Sequence, residues 1–376
     1  MKLIVGIPSL NESDSIGSVT RIVDEGLTLC SSLFASLQAQ IVNVDGNSSD
    51  GTVGAFLSVE TRWNKKAIAV PGNVGKGNNI FYLLRLSEAL TADAVITLDA
   101  DLKSVTPDWI VKLAYPILSG EADYVVPEYR RSPFEGSTTN HFAWPLVSIV
   151  YGGPIRQPIA GEFGLGRALV QRICKSPRPD ASLFYGIDLF ITLTAVTGKL
   201  RITRVALPRK LHKPSFHKLE LMFPQIADVA AWFLVRWPEK GELQDASVQD
   251  PGDFEPGIDY LHKQAALDLY ARSSQRVIDT IDTTDWLQRY RDEIGSRYLG
   301  ERPSFTSELW AMVFASWVTY VRGNTSVKSN CGSALLPFFA MRAVTLWYDI
   351  SQRGEAFGRL ELENQMGLIQ SKLCAM

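Results

Sequence analysis

The stretch Ala94-Val95-Ile96-Thr97-Leu98-Asp99-Ala100-Asp101 decides how this chain folds. Its first five residues are apolar or β-branched and bounded by polar neighbours, which reads as a short buried strand. The acids Asp99 and Asp101 follow at once, so they are delivered to the strand's C-terminal edge, where open α/β sheets bind ligands. An Asp-x-Asp in that place can put one carboxylate on a divalent cation and leave the other for a sugar hydroxyl or the cation's water shell, which suits a diphosphate. Short Asp-rich turns also arise for conformational reasons alone, so the triplet needs company.

Upstream, Leu3 to Pro8, Ile41 to Val44 and Ala67 to Val70 read as three further strands. Helical stretches separate them: Ser13 to Leu37 with Ser13 or Asp14 as cap, one beginning near Asp50-Gly51-Thr52, and Gly77 to Ala89. The alternation predicts βαβ units, and right-handed crossovers gather Asn11-Glu12, Asp45 to Asp50, Gly75 to Gly77 and Asp99 to Asp101 on one sheet edge. Downstream the pattern loosens into a strand at Tyr124 to Val126, a loop with Arg130-Arg131, a helix over Asn140 to Tyr151, and a strand over Leu200 to Leu207. From about residue 226 strands cease, and Ile258 to Ile294 and Thr306 to Gly358 read as amphipathic helices. Glu239 to Gly257 reads as a polar linker or exposed loop. The expectation is therefore an α/β sheet domain over residues 1–225 and a helical region over residues 226–376.

A chain of 376 residues is long for one core and accommodates two regions. A net charge of −2 gives no general reason to expect nucleic acid or an anionic membrane. Cys30, Cys174, Cys331 and Cys374 are scattered with no Cys-x-x-Cys pair, as free thiols in a reducing compartment would be. Met1-Lys2 leads straight into a strand, too short for a signal peptide, so the expected location is cytoplasmic. The apolar runs Leu309 to Val321 and Ala334 to Tyr348 are interrupted at Arg322 and Arg342 and fall short of the ~20 residues of a bilayer span. They read as core helices, with Trp310, Trp317, Phe338, Phe339 and Trp347 as core or, in the other reading, as a homodimer interface.

Several loops at the shared edge carry chemistry. Asp45-Gly46-Asn47-Ser48-Ser49-Asp50-Gly51-Thr52 offers amides, hydroxyls and acids at a helix entrance, either for a nucleoside or simply as a cap, with Asp45 the better ligand candidate. Gly75-Lys76-Gly77-Asn78 opens a helix with a lysine, which favours an anion, but it lacks the Walker spacing of a P-loop. Glu12 can reach a base or ribose, or remain a solvated first-turn carboxylate. Histidine occurs only at His141, His212, His217 and His262. His212, in Lys210-Leu211-His212-Lys213 after a strand, would join a carboxylate in a Mg2+ or Mn2+ shell.

The order Pro8-Ser9-Leu10-Asn11-Glu12, Asp45-Gly46-x-Ser48-x-Asp50-Gly51-Thr52, Gly75-Lys76-Gly77 and Asp99-Ala100-Asp101 resembles the GT-A glycosyltransferases that use nucleotide-diphosphate sugars. Gln157-Pro158-Ile159-Ala160-Gly161-Glu162-Phe163 and Tyr185-Gly186-Ile187-Asp188 are similar to the retaining mannosylglycerate synthase and glucosyl-3-phosphoglycerate synthase families, which make compatible solutes or their precursors. The resemblance implies a Rossmann-like mixed sheet flanked by helices, a divalent cation, a UDP- or GDP-hexose donor and a small hydroxy-acid acceptor such as D-glycerate or 3-phosphoglycerate. On that resemblance Pro8, Leu10 and Glu12 frame the nucleobase, and Asp45 and Lys76 complete the nucleoside pocket. Asp99 holds ribose or sugar, while Asp101 and His212 take the cation. Gly161 and Glu162 lie beside the donor sugar, Asp188 sits near the reacting centre, and Arg131, Thr138 and Thr139 meet the acceptor's acid group. Some members that take phosphoglycerate carry Gly-Arg-x-Thr where this chain has Gly136-Ser137-Thr138-Thr139, a departure that favours a free hydroxy acid. Two other readings stand beside this one: an inverting family-2-type transferase acting on a polyprenyl phosphate or polysaccharide, and a non-catalytic nucleotide-sugar-binding scaffold.

Overall fold

A computed structural model of the chain describes residues 1–72, 75–153, 155–213, 216–237, 263–288, 291–296, 303–324 and 331–376. The linker expected at Glu239 to Gly257, and His262, lie outside the described residues. The chain divides into two compact units: Met1–Arg130 with residues 155–213, and Arg131–Gly153 with residues 216–237 and the helices from 263 onward.

The first unit is a seven-stranded mixed sheet in the order β3-β2-β1-β4-β6-β5-β7 with helices around it, a GT-A-like fold. Its first half follows the expected alternation: β1 (Lys2–Ser9), α1 (Ile16–Leu33), β2 (Gln38–Asp45), α2 (Thr52–Ser58), β3 (Asn64–Ala69), α3 (Lys76–Ala89) and β4 (Ala94–Thr97). The second half runs α4 (Pro107–Leu118), β5 (Tyr124–Tyr129), β6 (Phe163–Gly166), α5 (Arg167–Lys175), α6 (Ile187–Thr197) and β7 (Ile202–Leu207). Strands β1, β4 and β5 are almost wholly buried, and the apolar runs Leu3-Ile4-Val5 and Ala94-Val95-Ile96 fill the middle of the sheet. Edge strand β3 spends Asn64, Lys65 and Lys66 on its wetter surroundings.

One local expectation is corrected, and one strand is added. The α1 helix begins at Ile16, and neither Ser13 nor Asp14 caps it; Ser15 is its N-cap and makes no side-chain cap bond. The preceding amides are met from the loop after β2 instead: Asn11 N–H donates to Ser48 Oγ at 2.7 Å, Glu12 N–H to Thr52 Oγ1 at 2.8 Å and Ser13 N–H to Asp50 at 3.1 Å. Ser48 to Thr52 thus ties two loops together. Strand β6 was hidden because two of its four residues, Gly164 and Gly166, are glycine. The fold needs the first of them, since a Cβ on Gly164 would lie 2.3 Å from the Leu113 carbonyl oxygen of α4. β6 runs antiparallel between β4 and β5, and its Phe163 faces Thr97, which carries Gly161-Glu162 to the tip of β4.

The second unit is helical: α7 (Leu219–Arg236), α8 (Lys263–Asp282), α9 (Asp285–Gln288), α10 (Arg291–Ser296), α11 (Ser307–Gly323), α12 (Cys331–Arg353) and α13 (Glu355–Ala375). The segment Asn140 to Tyr151, expected as one helix, is helical without a break over residues 137–150, with two π-helical turns, Thr139–Ala143 and Leu146–Val150. Pro145 stands between them and has no N–H to continue a ladder. Trp310, Trp317, Phe338 and Phe339 are 0% exposed and Trp347 5%, so these aromatics are core. Phe223 stacks on Phe339 with ring centroids 3.9 Å apart. Among the described residues no helix is long and apolar enough to cross a membrane.

Candidate functional site

The strand ends of the first unit bring together a chain of alternating charges. Lys76, the first residue of α3, reaches Asp99 Oδ1 at 2.9 Å and Asp188 Oδ2 at 3.2 Å. The other oxygen of Asp99 meets Lys210 Nζ at 2.9 Å, and Lys210 donates to both oxygens of Glu162 at 2.8 Å and to the Ala160 carbonyl at 2.8 Å. The Tyr129 hydroxyl closes the row on Glu162. Each member is placed by an element end: Asp99 after β4, Glu162 before β6, Asp188 in the first turn of α6, Lys210 after β7.

Burial sets the electrostatics. It works against the charge of Asp99, but Lys210 and Lys76 outweigh it and hold that carboxyl well below its ordinary range. Burial likewise opposes the charge of Lys76, yet Asp188 and Asp99 raise it above the usual lysine value. Burial pushes Asp188 up further than Lys76 pulls it down. Glu162, 0% exposed, is pushed up to about 7 by burial against the pull of Lys210. Asp101 is raised by burial and then by the neighbouring charge of Asp99, with Glu12 adding to it.

A cation suits this setting. Asp101 accepts the Lys213 amide at 3.2 Å, so the His212-Lys213 backbone runs beside it. His212 Nδ1 lies 2.7 Å from the Lys213 carbonyl oxygen, which can only accept. In the neutral ring Nδ1 therefore carries the proton and Nε2 the lone pair, the tautomer of a metal-bound histidine. Among the described residues no group of three or more His, Cys, Asp or Glu forms a cage. Asp101 and His212 would thus leave much of an octahedral shell to ligand oxygens and water, as Mg2+ sites commonly do.

The other expected donor residues lie at the same edge with differing freedom. Leu10 is 42% exposed, whereas Pro8 is buried in β1. Glu12 is held by Lys213 at 2.6 Å, and Lys213 also reaches Asp14 at 2.8 Å. Asp45 is 2% exposed and occupied: Ser9 Oγ, Ser48 Oγ and the Ser48 amide donate to it at 3.0, 2.6 and 2.7 Å. It anchors the loops after β1 and β2. The amide expected at the start of α3 is also spent, since Gly77 N–H donates to the Phe184 carbonyl at 3.1 Å. A Cβ on Gly77 would lie 1.9 Å from the Ser182 carbonyl oxygen, so glycine serves close backbone approach here. Gly161, at φ +92°, would place a Cβ 2.5 Å from Asp99 Oδ2. Arg131, Thr138 and Thr139 belong to the second unit.

Sequence reasoning passed over Lys210 and Tyr129. Lys210 carried a signal, a base just after the strand that ends at Leu207 and two residues before His212. Tyr129 carried none, because a tyrosine ending a buried strand reads as core.

Residues 4–164 match the family model described as Glycosyl transferase family 2. Glucosyl-3-phosphoglycerate synthase of Mycolicibacterium paratuberculosis is 27% identical over 205 residues, 50% of this chain and 59% of that protein. The same enzyme of Mycobacterium tuberculosis is 26% identical over 227 residues, 56% of this chain and 66% of that protein. The chain thus matches under two thirds of the length of these curated relatives. Among solved structures, M. tuberculosis glucosyl-3-phosphoglycerate synthase in complex with Mn2+, UDP and phosphoglyceric acid is similar at TM-score 0.50 and 26% identity, over 62% of this chain and 78% of that one. Mannosyl-3-phosphoglycerate synthase from Rubrobacter xylanophilus shares the fold at TM-score 0.52 and 21% identity, over 66% and 79% of the two chains.

Proposed function

We propose that this chain is a metal-dependent retaining glycosyltransferase that moves a hexose from a nucleotide-diphosphate sugar, UDP-glucose first among candidates, to a small hydroxy acid. The observation that carries this reading is the division of labour at the tip of β4. Asp99 is held ionised between Lys76 and Lys210, while Asp101 is raised beside it, next to His212. A row with more carboxylates than ammonium groups attracts a cation, and a bound cation attracts a diphosphate. The related synthase solved with Mn2+ and UDP supports the same cofactor and nucleotide here.

Asp101 and His212 would hold Mg2+ or Mn2+, which supplies charge neutralisation to the leaving diphosphate. Lys76, at the mouth of α3, is placed to add to that neutralisation. The bond from the anomeric carbon to the phosphate oxygen breaks and a bond to the acceptor hydroxyl oxygen forms on the same face. The acceptor's proton passes to the departing phosphate oxygen, so no protein nucleophile is required. Asp188, its Oδ2 on Lys76, positions the donor sugar. Glu162 acts through Lys210, since both its oxygens are engaged inside the fold. Pro8, Leu10 and Glu12 remain the proposed nucleobase frame.

For the acceptor, a Cβ added to Gly136 would lie 3.2 Å from Arg131 Nη1 and 3.7 Å from Thr139 Oγ1. Glycine, at φ +71°, therefore lets the turn pack against a guanidinium and a hydroxyl, two groups of the kind that hold one carboxylate. This supports D-glycerate, while the names of the relatives support 3-phosphoglycerate. The free Cys30, Cys174 and Cys374 suit a reducing compartment, and we place the reaction in the cytoplasm.

The test is incubation of the purified chain with UDP- and GDP-hexoses, Mg2+ or Mn2+, and either acid, with products read by mass and anomeric NMR. A glycosylated acid that keeps the donor's anomeric configuration is expected. An inverted product overturns the retaining assignment and supports the inverting family-2-type reading. Tight nucleotide-sugar binding without any glycoside indicates a scaffold.

A further inference from the structure

The second unit contains a buried polar cluster that converges on the turn bearing Arg131 and Thr139. C-terminal α13 buries Gly358, Leu362, Gln365 and Ile369, a three- or four-residue spacing that makes one face. Glu355, one turn before Gly358, accepts from Ser132 Oγ at 2.8 Å. A Cβ on Gly358 would lie 3.0 Å from Pro133 Cγ, so the helix touches the turn there. Gln365 is 0% exposed and both ends of its amide are used. Its Oε1 accepts from His141 Nδ1 at 2.8 Å and from Arg342 Nε at 2.9 Å, and its Nε2 donates to the Asn140 carbonyl at 3.3 Å.

The turn is also braced internally. Glu135 N–H donates to the Ser132 carbonyl at 2.9 Å, Asn140 N–H to the Gly136 carbonyl at 2.8 Å, and Asn140 Nδ2 to the Glu135 carbonyl at 2.9 Å. Fastened at Ser132 by Glu355 and at Asn140 and His141 by Gln365, the turn has little freedom to shift the Arg131 and Thr139 side chains that flank Gly136. Burial alone does not call for a glutamine here; an apolar residue would fill the space without needing partners for two polar ends. A buried amide bonded at both ends selects an orientation.

We propose that α13 sets the affinity for the acceptor acid, with Gln365 and Glu355 as positioning residues that act through Arg131 and Thr139. This rests on the reading of that turn as acceptor-binding. The experiment compares the full chain with Q365M, E355A and E355Q. It measures the binding of D-glycerate, 3-phosphoglycerate and UDP by calorimetry, transfer kinetics, and folding by circular dichroism. Q365M and E355A should weaken acid binding and raise the acceptor KM about tenfold, with UDP affinity and kcat within about twofold. E355Q, which keeps an acceptor for Ser132, should restore the acid affinity. Folded variants with unchanged acid affinity overturn the proposal, and so does an equal loss of acid and UDP binding. A wild-type chain that transfers no sugar yet binds the acid more tightly than Q365M and E355A overturns the transferase reading and keeps this one. A wild-type chain that binds neither acid overturns the role assigned to α13.

Discussion

Both units bury charge, but they balance it differently. In the helical unit Arg342, 0% exposed, donates to Gln365, to Ser307 Oγ at 2.8 Å and to Glu361 at 3.2 Å. That cluster is closed: its cation is bonded to one carboxylate and to neutral acceptors, with the charge of Asp349 close by. At the end of the sheet Asp99, Asp101, Glu162 and Asp188 share the ammonium groups of Lys76 and Lys210, and three of the four acids are raised above their ordinary values. A closed cluster specifies a packing arrangement, whereas an acid-rich one keeps a demand for positive charge that a ligand can meet.

The sharpest way to break this comparison is to remove the demand. D101A and H212A should each lower metal-dependent turnover by at least about 100-fold and weaken Mn2+ binding in calorimetry, with melting temperature little changed. R342M should leave metal binding as it is. Wild-type metal dependence in H212A would move the assignment to another ligand, with His217 the next candidate.

A smaller effect separates the two buried cations by stability. K210M leaves Glu162 and part of Asp99 without their counter-ion in a buried place and should cost about 3 kcal/mol or more in urea unfolding. R342M should cost less, because the Glu361 side chain is 18% exposed and can turn to water. The reverse ranking would mean that the helical cluster is the more strained of the two.

The smallest effect is one of pH. Glu162 titrates at about 7 in the folded chain against an ordinary value of 4.5, so between those values the folded state holds a proton that the unfolded state has released. Stability from this group is full below the unfolded value and falls as pH rises through that window. E162Q lacks the titration. The difference in melting temperature should therefore move in the variant's favour from about pH 5 to about pH 8. A constant difference would show that Glu162 stays ionised throughout.

Much of the first half of the sheet was legible because β-branched runs alternate with helical stretches, and the acids at residues 99 and 101 mark a strand tip directly. Strand β6 was not, since Gly164, which admits α4, and Gly166 look like loop residues. Asp45 reads as a ligand from its place at a strand tip, and only the structure shows that its oxygens also hold the loops after β1 and β2. Lys210 was visible as a base but not as the partner of Asp99 and Glu162, because those residues lie far apart along the chain. The same holds for Gln365, whose partners at Asn140 and His141 are more than two hundred positions away.

The sequence by itself determined the local matters: which segments alternate as strands and helices, which acids and bases follow strand ends, and that the C-terminal part is helical, since periodicity and chain proximity settle these. The tertiary structure alone decided which carboxylates are ionised, which side chains are bound in the interior, and which helix braces the Arg131 turn. Charge balance and burial depend on distances between residues remote in sequence, and no local pattern encodes those distances.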